Sequence, residues 1–267
     1  KASDFAKNVK GIYDRGQPLV QLGMVVGTGF SASFIPMMSQ AHAQNRQNEF
    51  TRSAVSLLRM TSVFSAAAVT GLLAILPNVN NMLFGDREGI AVLSVYILAI
   101  FAASIMTAYH SILQSLGQYK ISLVALAAGL TVKFFGNLLL VEPLGTMGAS
   151  IALIAGLAAM VLVLWMNSER ALRDVWFTDH FVRKLLAGCV VLFVTVWALR
   201  VGLERYLFTD GGRLTDSVIA VVTVCAGVGV FLWYILKVRL LTLREWVSIP
   251  FGKKLLRKLP DKTSDLK

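Results

Sequence analysis

Charge is scarce in this chain, since only 15% of its 267 residues are Asp, Glu, Lys or Arg. Globular chains carry about a quarter charged residues, so a single core wrapped in a solvated surface is excluded. Three histidines and two cysteines are too few and too scattered for a metal centre. No glycine-rich phosphate loop follows a strand pattern, and no serine sits in a nucleophile elbow. The chain is therefore not expected to be an enzyme or to hold a metal or cofactor. Cys189 and Cys225 both fall in apolar runs, where lone thiols serve as small packing residues. No ribbon of alternating basic and aromatic residues suggests nucleic acid, so the net charge of +11 points to lipid headgroups.

Long apolar runs are abundant. Hydrophobic residues make up 56% of the chain and the mean hydropathy is +0.66. Uncharged or nearly uncharged runs at Gly16–Asn45, Met60–Gly85, Gly89–Tyr119, Pro143–Ser168 and Ser217–Leu236 reach the length of a membrane-crossing helix. Two more, Lys120–Val141 and Lys184–Leu203, are interrupted by Lys133 and Arg200. The expected fold is an all-α integral membrane protein with seven transmembrane helices, without the alternation of a barrel strand. The first residue is Lys1 rather than methionine, which reads as part of a longer protein.

Basic residues in the short connections set the expected orientation. Sixteen fall on the side of the C-terminal tail and seven on the other, which places the C-terminus in the cytoplasm. Lys1, Lys7, Lys10 and Arg15 run against the rule, as a segment positioned by its neighbours can. The tail pairs Lys253, Lys254, Arg257 and Lys258 with Leu255, Leu256 and Leu259, the pattern of a basic amphipathic helix on an anionic leaflet. Between Ser168 and Lys184, Leu172, Val175, Trp176 and Phe177 form an apolar stripe beside Arg170 and Arg173, also expected in the interface. The chain thus divides into an extracytoplasmic segment (1–16), five helices (17–166), an interfacial loop (167–183), two further helices (184–237) and a basic tail (238–267).

Candidate functional residues are the polar ones at depth. Lys133 lies about eight residues from the nearer end of its run, roughly 12 Å down at 1.5 Å per residue. An ammonium at that depth costs about 2.5 to 3.5 kcal/mol even on gentle insertion scales, and so requires water, a partner or an anionic ligand. Asn137 follows one turn later on the same face, either lining the same path or bonding between helices. Arg59 either reaches a cavity or snorkels to the interface. Asp14 and Arg15 stand at the mouth of the first helix, as a cavity feature or a surface pair. His110 and Gln114 share a face, as a helix contact or a hydrated path. Asp86, Glu88, Glu142, Glu169, Asp174, Asp179, Glu204 and Asp210 all lie at span ends or in loops, and no acid is expected deep in a helix. A cavity lined by cations and amides favours an anion, and arginine suits phosphate. Small residues Gly23, Gly27 and Ala32, and Gly148, Ala152, Gly156 and Ala159, are expected to bring helices close. Pro18 and Pro36 mark expected bends in the first helix.

The run Ile12-Tyr13-Asp14-Arg15-Gly16-Gln17-Pro18-Leu19-Val20-Gln21, with Pro36 and Ser39, resembles a helix start in the SpoVB/YtgP and MurJ-like branch of the multidrug/oligosaccharidyl-lipid/polysaccharide exporter superfamily. Lys133 to Ser150, with Asn137-Leu138-Leu139-Leu140 and Gly145-Thr146-Met147-Gly148-Ala149, is similar to a helix pair recurrent across that superfamily. Pro250-Phe251-Gly252-Lys253-Lys254 resembles the tail of SpoVB/YtgP proteins. The resemblance implies helices eight to fourteen, the C-terminal lobe, of a two-lobed, fourteen-helix flippase in the bacterial plasma membrane. It also implies a lipid-linked diphosphate sugar as substrate, most often the peptidoglycan precursor lipid II, moved by alternating access through a cationic cavity with an N-terminal lobe. Arg15 inherits a diphosphate contact, with Asp14 orienting it. Cation-coupled antiport of drugs within the same superfamily, or a membrane scaffold that transports nothing, are the alternatives.

Overall fold

A computed structural model describes residues 11, 13–177, 180–206, 213–238 and 240, with the side chains of Val26, Tyr206 and Arg213 not described. The amphipathic tail, apart from Leu240, and the first ten residues lie outside the described set. The described chain is helical throughout: α1 Gly16–Ala43, α2 Gln47–Phe84, α3 Ile90–Ile97, α4 Ala99–Ser115, α5 Tyr119–Leu144, α6 Thr146–Met166, α7 Arg170–Arg173, α8 Phe181–Tyr206 and α9 Arg213–Val238. A 3-10 turn, Asp174–Trp176, follows α7. α3 and α4 join through Leu98, whose dihedrals are nearly helical, and together form one span, Ile90–Ser115. Among the described residues six helices are long and apolar enough to cross a membrane, seven when the two bent parts of α1 count as one.

The apolar runs locate the spans but not every helix limit. α2 starts at Gln47, well before the uncharged run, so Arg52 is a helical residue and Arg59 lies several turns inside. α1 bends by 41° between Gly16–Val25 and Gly27–Ala43, whereas Pro36 sits within a continuous helical part. Glycines dictate where α1 meets α4. A Cβ on Gly23 would stand 2.6 Å from Ile100, and one on Gly27 3.3 Å from the Ser104 hydroxyl. The core lies where α1, α2 and α4 cross, filled by Phe34, Met38, Phe50, Leu57, Leu58, Ile97, Ile100 and Tyr109. Some buried hydroxyls there bond back onto their own helices, as Ser62 does to the Leu58 carbonyl, whereas those of Ser31, Thr61 and Ser104 have no hydrogen-bond partner among the described residues.

α5 stands apart. Only Ala125 and Gly129 of its residues are buried, and Leu123, Leu130, Phe134, Leu138 and Leu139 are exposed. It packs almost wholly on α6, and small residues make the approach close. A Cβ on Gly156 of α6 would stand 2.9 Å from both the Gly129 carbonyl oxygen and the Lys133 Cβ, and one on Gly136 3.0 Å from Ala152. The hairpin turns at Gly145, with φ 57° and ψ −133°, a region that side chains avoid. α8 and α9 pair with each other and lean on α2.

Candidate functional site

Lys133 and Asn137 lie one turn apart on α5 and open into a groove of about 570 Å³. Phe134, Leu138 and Val141 continue the wall, Ala149 of α6 closes one side and Tyr13, just before α1, the other. The fit of Gly156 against the Lys133 backbone fixes which way this stretch of α5 faces. Lys133 is half-buried, and no carboxylate lies within ion-pair distance of it among the described residues. The Asn137 carbonyl oxygen is buried with no hydrogen-bond partner. Tyr13 stacks edge-on to Tyr96, ring centroids 5.0 Å apart, and burial pushes its phenol up to about 12, so it is a neutral donor at ordinary pH. The groove therefore offers a cation, an amide and a phenol within apolar walls, a set that suits an anion with several oxygens.

The other sequence candidates go elsewhere. Arg15 does not pair with Asp14. Its two terminal guanidinium nitrogens donate to the two oxygens of Asp86, at 2.6 and 2.8 Å, while the guanidinium sits 5.0 Å from the centre of the Phe84 ring. Asp86 also accepts from the Glu88 backbone N–H at 2.9 Å. The Arg15 fork holds the Asp86 carboxyl below the usual carboxylate range, and Asp86 in turn raises the guanidinium. Asp14 is exposed. Arg15 is thus oriented by Asp86 and not by Asp14, and two of its donors are already engaged.

Arg59 lies 5.8 Å above the ring of Phe181 at the start of α8, away from the Lys133 groove, because its face of α2 turns towards α8. His110 is half-buried on α4 and Gln114 exposed near its end. Neither lines the groove.

Sequence reasoning missed a second polar cluster. Asp216, in the first turn of α9, is 1% exposed. It accepts from Asn78 at 2.7 Å, from Asn81 at 2.5 Å, and from Arg87 at 3.0 and 3.1 Å. Asn78 also donates to Glu204 of α8 at 2.9 Å. Arg200 pairs with Glu204 at 3.5 Å and donates to the Ala74 carbonyl at 3.0 Å. A buried acid thus lies in the first turn of α9, at a span end, one that the sequence pattern does not single out. It sits at the edge of its apolar run, where a sequence reads as a loop. The signal that could have found its partners is Asn78-Val79-Asn80-Asn81, three amides in four residues beside Pro77 in an otherwise apolar helix.

No protein-family model matches the chain. The chain is 34% identical over 256 residues to a Bacillus subtilis (strain 168) protein described as the uncharacterized membrane protein YabM. That alignment takes in 96% of this chain and 48% of the relative, so the chain spans about half the relative's length. Both the relative's description and the spanning helices make this a multi-pass transmembrane chain.

Proposed function

We propose that the chain is one half of a transporter that moves a lipid-linked oligosaccharide diphosphate across a membrane, with lipid II as the leading substrate. The observation that carries this reading is the Lys133 groove: a cation with no counter-ion among the described residues and an amide oxygen with no partner there, deep in a spanning helix. A stable membrane protein gains nothing from an uncompensated ammonium unless a ligand or water completes it, and a diphosphate supplies charge and acceptors together. The large apolar exposure of α5 on more than one side fits a helix that faces further protein as well as lipid. The orientation, with the tail cytoplasmic, and alternating access against a second lobe belong to the same proposal, as do bacterial plasma membrane residence and tail contact with anionic lipids. Cation-coupled antiport is less well supported. Asp216, the fully buried acid, has both its oxygens occupied by donors.

The test is transport of a fluorescent lipid-linked diphosphate sugar by the intact protein in vesicles. Lys133→Ala is expected to slow it at least tenfold with expression unchanged, and Lys133→Arg to retain much of it. Full transport by Lys133→Ala overturns the assignment.

A further inference from the structure

A second cavity, larger and of different chemistry, lies in the other half of the bundle, on the side of the connection after Met166. It encloses about 870 Å³ between α2, α4, α6 and α8, with Val69, Phe101, Ala158, Leu162, Leu185 and Leu186 among its walls. Trp165, Trp176 and Tyr109 stand at the end nearest α7. The Tyr109 side chain is 1% exposed, and its hydroxyl faces Ser168 and Trp176 without a hydrogen bond of regular geometry. Phe177, 76% exposed, marks the mouth. α7 and the first turn of α8, which flank this end, carry Arg170, Arg173, Arg183 and Lys184 beside Glu169 and Asp174, and Glu169 already accepts from Gln47. An apolar slot with a tryptophan rim and cations flanking one end is the inverse of one kind of molecule: a chain of methylenes ending in esters and a phosphate.

We infer that this groove binds one anionic glycerophospholipid of the surrounding bilayer, its acyl chain between α4, α6 and α8 and its phosphate against the cations of α7 and the start of α8. Lipid tails already escape water in the bilayer, so the selection for this lipid comes from the headgroup. The site is separate from the Lys133 groove and does not rest on its transport role.

Tryptophan quenching tests it in the intact protein. Trp197→Phe, Trp233→Phe and Trp246→Phe leave Trp165 and Trp176 at the groove. The complementary protein, with Trp165→Phe, Trp176→Phe and Trp246→Phe, reports from Trp197 and Trp233, which are half-exposed on the outer surface. Each is placed in phosphatidylcholine vesicles with rising fractions of phosphatidylglycerol brominated on its acyl chains. Groove tryptophans are expected to reach half-maximal quenching at a phosphatidylglycerol fraction at least threefold lower than the surface pair. Ala158→Phe, which fills the slot, is expected to erase that difference, as is the double change Arg183→Gln and Lys184→Gln. Coincident curves for the two pairs overturn the proposal. So does a preference that survives the charge change, or equal quenching by brominated phosphatidylcholine in the unfilled groove, a measurement that needs no folded filling variant.

Discussion

The Lys133 groove and the Asp216 cluster are both polar intrusions into apolar helices, and they are built on opposite terms. Around Asp216, two acids meet two arginines and two amides, and both oxygens of the buried carboxylate have donors. It ties α2, α8 and α9 together near one end of the bundle. Around Lys133 no carboxylate among the described residues answers the charge; an amide oxygen without a hydrogen-bond partner occurs in both places, Asn137 here and Asn78 there, so the charge is what separates them. Charges compensated within the fold do mechanical work for the fold, whereas an uncompensated one reserves its interaction for something that arrives.

That contrast can be broken by substitution. The largest expected effect is Asp216→Ala, which strands Arg87 and two amides. Arg87 is half-exposed, so its charge is largely screened once alone, but two amide donors lose a buried acceptor at about 1 to 3 kcal/mol each, so thermal unfolding in detergent should fall sharply; an unchanged midpoint would remove the structural reading. Next is Lys133→Ala, expected to leave that midpoint unchanged or slightly raised while transport falls at least tenfold, about 1.4 kcal/mol. A loss of stability equal to that of Asp216→Ala would mean that the two regions are not different in kind. Gly156→Ala, which crowds the Lys133 backbone, is expected to cost about 1 to 3 kcal/mol of stability, and transport should fall with it, as paired unfolding and flux measurements would reveal.

The smallest effect concerns pH. Asp86 has its carboxyl lowered by Arg15, so the stabilisation of that tie is fully present above the ordinary carboxylate value near 4. It is lost as pH falls through the lowered value. The loss is about 0.5 to 1 kcal/mol for a part-exposed pair, seen as a steeper drop of the unfolding midpoint below pH 4 than in Asp86→Asn.

Much of the fold was legible because a membrane leaves little choice. Runs of apolar residues long enough to cross became helices, and the small residues Gly148, Ala152 and Gly156 forecast the tight α5–α6 hairpin. Lys133 and Asn137 do share a groove, since a spacing of four fixes a common face. What sequence could not supply was partnership across distance. Arg15 finds Asp86 71 positions away, while its neighbour Asp14, the obvious partner by proximity, points to solvent. Asp216 and Asn78 are 138 positions apart. Arg59 was readable as a polar residue in a span but not by azimuth, because α2 has no wide polar face to betray which helix each side meets. The bend in α1 fell between the prolines rather than at them, where glycines allow close contact with α4.

The seat of Lys133 against Gly156 acts on motion as well as on position. Two smooth helices can slip past each other by a turn, 5.4 Å, at modest cost. Here the Gly129 carbonyl and the Lys133 Cβ both engage the notch at Gly156, and a slip in either direction drives them onto a side chain. The hairpin is keyed, like a shaft in a hub. The notch thereby sets one register of α5 against α6, and with it the depth of the ammonium relative to α6.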